Sequence, residues 1–246
     1  MQPTVVNPLQ DESEPAPRAY RYFNFITAVF VTVLVISNIV AVKLISIAGL
    51  ILPAAVILFP ISYIFGDILT EVYGYSNARK VIWIGFFCNL VAVIAIWLAG
   101  LLPGAPIWTA GVFLTPGSAQ QAYAAILGFT PRLLAASFIA YLTGEFLNSF
   151  VLAKLKLKTK GKFLWVRTIG STIVGEGADS AIFITAAFAG ILPGNALLTT
   201  TLSQWLFKVA YETVATPLTY AVVNFLKRKE NEDYYDKGTN FNPISL

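Results

Sequence analysis

The chain of 246 residues is 57% hydrophobic and only 12% charged, with a net charge of +4 and a mean hydropathy of +0.69. A soluble domain carries about 25% charged residues, so this composition excludes an ordinary water-soluble fold and indicates an integral membrane protein. With one cysteine and no histidine, the sequence offers neither a disulfide framework nor a common metal cluster, and it lacks the commonest general base. The basic residues flank apolar runs and form no stripe, which argues against nucleic-acid binding.

Polar segments lie at both ends of the chain. Residues 1–20 are rich in proline and acidic side chains and lack the basic start of a signal peptide. We predict a disordered cytoplasmic tail there, and a second disordered cytoplasmic tail over residues 228–246. The part between them, residues 21–227, is predicted to form one all-α membrane domain.

The apolar runs predict six transmembrane helices, since a helix needs about 20 apolar residues to cross a bilayer core of about 30 Å. The six segments are Tyr22–Ile45, Leu50–Val72, Val81–Leu102, Pro131–Leu152, Leu164–Ile191 and Leu197–Leu226. Pro60 in the second segment and Pro217 in the sixth are expected to bend their helices.

The distribution of lysine and arginine predicts the orientation. Fourteen of the 17 basic residues lie in the two tails, between spans two and three, and between spans four and five, whereas the connections 103–129 and 192–196 contain none. Basic loops stay on the cytoplasmic side, so both termini are predicted to be cytoplasmic. The long outer connection contains a helical pattern over Ser118–Gly128, which predicts a short helix that acts either as a lid or as an interfacial packing element.

Ionisable side chains within the spans point to function, because each costs at least about 2.5 kcal/mol to insert. The spans contain Asp67, Glu71, Glu145, Glu176, Asp179, Lys208 and Glu212. Their spacing aligns them, with several amides, along four helix faces. Such polar faces should meet at a ligand pocket and turn away from lipid.

The residues expected to bind a substrate are Glu176, Asp179, Glu145, Asn148, Gln204, Lys208, Phe183, Tyr211, Asn38 and Asn89. Glu176 and Asp179 lie in the middle of their span, where two carboxylates have few purely structural uses. Lys208 and Glu212 are four residues apart, so they either neutralise each other or belong to the site. No catalytic residue, metal or other cofactor is expected.

A second group of charges lies near the cytoplasmic ends of the spans. Asp67 and Glu71 are one helical turn apart, and Arg79 follows in the next connection. These three residues are predicted to form either a gate or a structural ion cluster at the rim.

Three blocks of sequence carry a resemblance to a known family. They run from Phe59 to Gly74 (followed by Arg79), from Gly144 to Ser149 and from Gly175 to Ser180, and each holds at least one acid inside a span. They resemble the vitamin uptake transporter family and, within it, the queuosine precursor transporters. The resemblance covers residues 22–226. It implies a multi-pass importer in the bacterial inner membrane that takes up 7-cyano-7-deazaguanine and 7-aminomethyl-7-deazaguanine for tRNA queuosine salvage, with a six-helix fold similar to the substrate-binding subunits of energy-coupling factor transporters.

The chemistry of such a substrate suits the polar faces. A guanine-like base presents two adjacent N–H donors, which one carboxylate accepts as a bidentate pair. Glu176 and Glu145 are the first candidates for this role and Asp179 the next, while Asn148 or Gln204 would read the ring carbonyl. An aromatic side chain such as Phe183 or Tyr211 would stack on the base.

The sequence lacks the motifs of several other functions. The chain contains no P-loop, so the main alternative is a capture subunit for another vitamin-like solute that depends on an ATP-hydrolysing partner. An ion channel is a weaker alternative, because acids and amides spread over four helices suit an organic solute better. The spacing from Asp67 to Arg79 faintly resembles a phosphotransferase motif, but the two further aspartates of that motif are missing, so no enzyme is expected. Proton coupling and a homo-oligomer stay open.

Overall fold

The computed structural model describes residues 20–47, 50–128 and 131–245, so nearly all of the predicted N-terminal tail lies outside the described residues. In chain order the elements are α1 (Phe23–Val40), β1 (Leu44–Ile47), β2 (Leu50–Pro53), a 3-10 turn (Ala54–Ile57), α2 (Phe59–Tyr73), α3 (Tyr75–Leu101), α4 (Pro116–Leu127), α5 (Pro131–Lys158), α6 (Leu164–Phe188) and α7 (Gly194–Glu230).

Each of the six predicted segments overlaps one of the helices α1, α2, α3, α5, α6 and α7, but the second segment differs in detail. β1 and β2 pair as an antiparallel hairpin in which Leu44 faces Pro53, so the fold is helical with one small hairpin and is not strictly all-α. Pro60 falls in the first turn of α2, where its missing N–H costs no hydrogen bond. It therefore begins a helix instead of bending one, whereas Pro217 does lie inside α7.

Four stretches of the described chain are long and apolar enough to cross a membrane: Phe23–Val40, Ala54–Tyr73, Tyr75–Leu101 and Pro116–Lys158, the last of which contains α4 and α5. α6 has 25 residues and α7 has 37. Both are long enough to cross a bilayer. Both carry buried charged residues in their middle turns, which lowers their apolar character. The structure thus shows a helical protein with four apolar stretches that are candidates to span a membrane.

Glycines let α5 and α6 pack closely, and these two helices share the most extensive contact in the bundle. A Cβ atom added at Gly175 would lie 2.8 Å from the carbonyl oxygen of Gly144. Small residues at a crossing allow two backbones to approach in this way. The close crossing brings the acids that follow each glycine, Glu145 and Glu176, into the same layer of the bundle.

The two ends of the bundle differ in charge. Lys156, Arg167 and Lys227, at the end of α5, the start of α6 and the end of α7, lie at one end, called the basic end here. The helix α4 lies at the other, called the distal end. Thr115 caps α4 and exchanges hydrogen bonds with Ser118, so the predicted short helix is present and begins at Pro116, two residues before the predicted start at Ser118.

The C-terminal segment 231–245 packs against the basic end, in contrast to the disordered tail that was predicted. Asp236 accepts hydrogen bonds from the backbone N–H of Tyr75 at 3.1 and 3.2 Å, at the start of α3. Arg79 donates to the carbonyl oxygens of Asn240 and Asn242 at 2.9 and 2.8 Å. The prediction relied on polarity, but these polar groups are hydrogen-bonded to helix ends.

Candidate functional site

A cavity of about 420 Å³ lies inside the bundle, within the usual range for small-molecule sites. Its wall is formed by the last turns of α1 and α6, the first turns of α5 and α7, and parts of α2 and α3. Because these helix ends meet away from the basic end, the cavity occupies the distal half of the bundle.

Six of the ten predicted substrate-binding residues line this cavity: Asn38, Asn89, Asp179, Phe183, Gln204 and Lys208. Aliphatic side chains form most of the remaining wall, and three further aromatic residues contribute to it: Phe59, Phe188 and Phe207. The cavity thus combines a largely apolar wall with a few polar groups, which is the usual composition of a site for a planar organic ligand.

The two charged residues of the wall, Asp179 and Lys208, belong to an ion-pair triad with Glu176. The Nζ atom of Lys208 lies 2.5 Å from Oδ2 of Asp179 and 2.5 Å from Oε2 of Glu176. The two acids are three residues apart on one face of α6, and α7 carries the lysine to them. The aromatic ring of Phe59 lies 4.8 Å from the same ammonium group, a favourable cation–π distance.

This geometry decides between the two interpretations of Lys208. Among the ion pairs of the described residues, Lys208 pairs with the two acids of α6 and not with Glu212 on its own helix. Glu212 is buried, and its Oε1 atom has no hydrogen-bond partner in the described structure. Lys208 therefore belongs to the cavity wall.

The four other predicted residues lie outside the cavity wall. Glu176 is buried one helical turn from Asp179 toward the basic end, and Glu145 is buried beside it on α5. Asn148 donates to Oδ1 of Asp67 at 2.6 Å. Tyr211 packs against the apolar core. Of the three carboxylates ranked from the sequence, the last-ranked, Asp179, is the one that reaches the cavity.

A separate ion cluster closes the basic end around Glu71. Arg167 donates to both carboxylate oxygens of Glu71, at 3.1 and 2.8 Å. Lys227 donates to Oε1 of Glu71 at 2.6 Å, and Lys156 lies 3.4 Å from the same atom. Asp233 from the C-terminal segment accepts from Lys156 and Lys227. Cations of three helices thus meet at the carboxylate of Glu71, and the segment contacts two of those cations.

The predicted rim group of Asp67, Glu71 and Arg79 is not brought together. Asp67 lies one turn deeper and bonds Asn148, while Arg79 holds the C-terminal segment. Only Glu71 belongs to the cluster.

The pKa of Asp233 reflects this cluster. Partial burial raises the pKa of this carboxyl, but the hydrogen bonds and charges of Lys156 and Lys227 outweigh burial and hold the pKa below its ordinary value. Burial lowers the pKa of Lys227, but Glu71 and Asp233 outweigh it and raise the pKa above the ordinary value. The charged forms are thus favoured on both sides of the contact.

Sequence reasoning missed several members of both sites. Phe59 and Tyr63 lie one turn apart on α2 with ring centroids 5.6 Å apart, both near Lys208. Their spacing of four residues inside the first family block is a signal that could have identified them. Arg167 and Lys156 were counted as basic loop residues, yet each is 1% exposed. Nothing in the composition of a loop reveals a buried partner.

The arrangement provides groups that can bind a ligand. Within the described residues, no group of three or more histidine, cysteine, aspartate or glutamate side chains is placed to hold a metal ion. Asp179 offers acceptors, Lys208 and Gln204 offer donors, and the phenylalanines offer stacking surfaces. This set matches a small planar ligand that carries both donors and acceptors.

Comparison with known proteins agrees with such a role. A family model described as "Putative vitamin uptake transporter" matches residues 53–222. The chain is 28% identical over 197 residues to a Bacillus subtilis (strain 168) protein named "Probable queuosine precursor transporter", which covers 80% of this chain and 82% of that protein. A Haemophilus influenzae protein of the same name is 28% identical over 134 residues, or 53% of this chain and 49% of that protein. No solved structure matches the chain.

Proposed function

The chain belongs to the vitamin uptake transporter family, and from this premise we propose that it imports the 7-deazaguanine precursors of queuosine. The observation that carries the proposal is the cavity of about 420 Å³ with the Asp179–Lys208 pair in its wall. The similarity to proteins named as queuosine precursor transporters supports the choice of substrate. In this proposal the solutes are 7-cyano-7-deazaguanine and 7-aminomethyl-7-deazaguanine, and the chain is a transporter without enzymatic activity.

The donors and acceptors of the cavity suit a guanine-like base. The ring N1–H and the exocyclic amine of the base would both be accepted by Asp179, as a charge-assisted pair. Gln204, also in the wall, would donate to the ring carbonyl. Phe59 and Phe183 would stack on the base, since aromatic side chains bind the faces of nucleobases. For the aminomethyl compound, the second acid of the triad, Glu176, would balance the added positive charge.

The proposal includes a six-span topology in the bacterial inner membrane. α1, α2, α3, α5, α6 and α7 would each cross once, with both termini in the cytoplasm, as the positions of lysine and arginine favour. The polar faces of α6 and α7 meet at the Asp179–Lys208 pair. These charges would therefore turn away from lipid, and both helices could span the membrane despite them. The cavity would then lie in the outer half of the membrane and the basic end in the cytoplasm. This architecture would be similar to the substrate-binding subunits of energy-coupling factor transporters.

A rescue experiment tests the proposal. A cell that can neither synthesise queuosine nor import its precursors is supplied with each 7-deazaguanine separately, and queuosine in its tRNA is measured with and without this protein. We expect the protein to restore queuosine. Asp179→Asn should reduce uptake by about tenfold or more, because a hydrogen bond to a charged group contributes about 1.5–3 kcal/mol.

Asn195→Ala is the control, since this exposed amide lies on α7 outside the cavity wall; it should behave as the unmodified protein. Full uptake by Asp179→Asn would exclude this carboxylate as the binding group. Absence of rescue, with membrane insertion confirmed, would contradict the stand-alone importer. Binding of a 7-deazaguanine by that same purified protein would then indicate a capture subunit that needs an ATP-hydrolysing partner.

A further inference from the structure

The acids inside the bundle outnumber the cations that reach them. Glu71 is neutralised at the basic end by its three cationic neighbours, and Glu176 and Asp179 share Lys208. Three more acids buried within the helices have no ion-pair partner among the described residues: Asp67, Glu145 and Glu212. Of these, Glu145 faces all three members of the ion-pair triad, Glu176, Asp179 and Lys208.

Glu145 is the most isolated of the three. Its side chain is 0% exposed, and neither carboxylate oxygen has a hydrogen-bond partner in the described structure. By contrast, Asp67 accepts a hydrogen bond from Asn148. Glu145 is also held against α2, because a Cβ atom at Gly66 would lie 2.9 Å from its Oε2 atom. A carboxylate without donors in a low-dielectric interior is strongly disfavoured as an anion.

The groups that face Glu145 provide no unpaired cation to neutralise its carboxylate. They are Tyr63 and Asp67 of α2, Tyr141 of its own helix, Glu176 and Asp179 of α6, and Lys208 of α7. Lys208 is the one cation among these described groups, and it lies 2.5 Å from each of the two α6 acids. Three carboxylates therefore compete for one ammonium group, and the third requires another cation.

We propose that Glu145 is a proton-binding site and that this proton moves inward together with the substrate; the proposal rests on the import function proposed above. A proton is favoured over a metal ion because the described residues contain no suitable group of metal ligands. A neutral ligand brings no cation to replace the proton. The loaded bundle therefore closes only while Glu145 is protonated, which couples the two movements.

Proton occupancy is also linked to the cavity wall through Lys208. When Glu145 loses its proton, the nearest compensating charge is Lys208. Movement of Lys208 toward Glu145 would withdraw it from Asp179, which lines the cavity. Ligand binding at Asp179 and proton binding at Glu145 thus depend on the same ammonium group, and each should alter the affinity of the other.

The first measurement needs no substrate. Infrared spectroscopy of the purified protein, in acidic and alkaline buffer, records the carbonyl stretch of protonated carboxylic acids. We expect one such band to be lost in Glu145→Gln, whose amide copies the shape of the neutral acid. The same band unchanged in that variant would overturn the assignment.

The second measurement uses proteoliposomes and labelled 7-cyano-7-deazaguanine. An inward gradient of one pH unit should support about tenfold accumulation at one proton per substrate, because each unit is a tenfold concentration ratio. Glu145→Gln should exchange labelled for unlabelled substrate across the membrane yet show no accumulation in response to the gradient. Glu212→Gln, another buried acid without a cation partner in the described structure, should still accumulate the substrate.

The outcomes separate this proposal from the function on which it rests. If the unmodified protein exchanges no 7-deazaguanine, the import function fails. If it exchanges the substrate but a proton gradient has no effect, or a sodium gradient alone drives accumulation, the function stands and the proton site is rejected. Gradient-driven accumulation that persists in Glu145→Gln also rejects it.

Discussion

At the scale of single residues, two glycines fix the geometry of the charged layer as firmly as the charged residues do. A Cβ atom at Gly175 would lie 2.7 Å from the Cβ atom of Asn148 and 2.8 Å from the carbonyl oxygen of Gly144. Helices that pack this closely accept only glycine at the contact. The distance between α5 and α6 therefore sets how near Glu145 lies to the triad.

Substitution of Gly175 tests this contact. Gly175→Ala should force α5 and α6 apart at a cost of about 1–3 kcal/mol, since overpacking of a well-packed interior has this magnitude. The expected result is a lower melting temperature of the purified protein in detergent and slower substrate uptake.

Gly194→Ala is a matched control because a Cβ atom at this position meets nothing within 4 Å. It should leave the melting temperature unchanged or slightly raised, since alanine favours the helix. Equal melting temperatures for Gly175→Ala and the unmodified protein would show that the helices are not in close contact there.

The identity of the buried charges could be predicted from the sequence, but not their partners. Glu176, Asp179 and Lys208 stand out as charges within apolar runs, and helical spacing assigns each to a face. Spacing does not give the rotation of α6 relative to α7. Because of that rotation, Lys208 contacts the two acids of α6 and not Glu212. The same rotation places Asp179, and not Glu176, on the cavity wall.

At the scale of elements, the C-terminal segment 231–245 behaves as part of the bundle. Asp233 lies 2.6 Å from Nζ of Lys156 and 2.8 Å from Nζ of Lys227. The backbone N–H of Tyr234 donates to the carbonyl oxygen of Val72 at the end of α2. The segment thus joins the ends of three helices.

The stability of this contact should depend on pH through Asp233. Its pKa in the folded protein lies below the ordinary value of about 3.9, so the ionised carboxylate stabilises the fold above that value. The contribution is lost as the pH falls through the lower, folded-state pKa. Because the side chain is 44% exposed, the effect should not exceed about 1 kcal/mol.

We therefore expect Asp233→Asn to lower the melting temperature slightly at neutral pH. Below about pH 4 the variant should lose less stability than the unmodified protein does, because the contribution of Asp233 is already absent. Melting curves across a pH series in detergent measure both effects. Lys237→Gln, an exposed residue of the same segment, serves as the control and should keep the unmodified profile. Identical profiles for Asp233→Asn and the unmodified protein would mean that the contact adds no stability.

The helices were predictable from apolar runs, whereas their ends were not. α7 continues to Glu230, past the predicted end at Leu226, because Lys227 and Glu230 bind partners at the basic end of the bundle. The polarity of the last residues predicted disorder, but Asp236 instead caps α3. Short-range composition cannot reveal a polar partner 161 residues away in the chain.

At the scale of the whole molecule, the polar groups divide into two layers with different roles. The distal half holds the cavity with Asp179 and Lys208 in its wall. The basic end is sealed by Glu71, its cationic neighbours and the C-terminal segment. A bundle that is hollow at one end and closed at the other is the arrangement expected of one state of a carrier with alternating access.

The last prediction concerns the proposed topology, and the α6–α7 connection is the part of the chain that tests it most directly. Single cysteines are introduced at Ile107, Ile191 and Lys237 after the one native cysteine, Cys88, is replaced by serine. All three positions are exposed. Intact cells are then treated with a maleimide that cannot cross the membrane, and labelling is compared with that of permeabilised cells.

Six spans with both termini inside place positions 107 and 191 outside the cell and position 237 inside it. We therefore expect labelling at 107 and 191 in intact cells, and labelling at 237 only after permeabilisation, which also shows that each cysteine is reactive. Position 191 decides the number of spans. If only the four strongly apolar stretches crossed the membrane, residue 191 would lie on the same side as residue 237 and would be protected in intact cells. The charges of α6 and α7 would then face water instead of a cavity within the membrane, and the assignment of Asp179 and Lys208 to a transport site would fall with the topology.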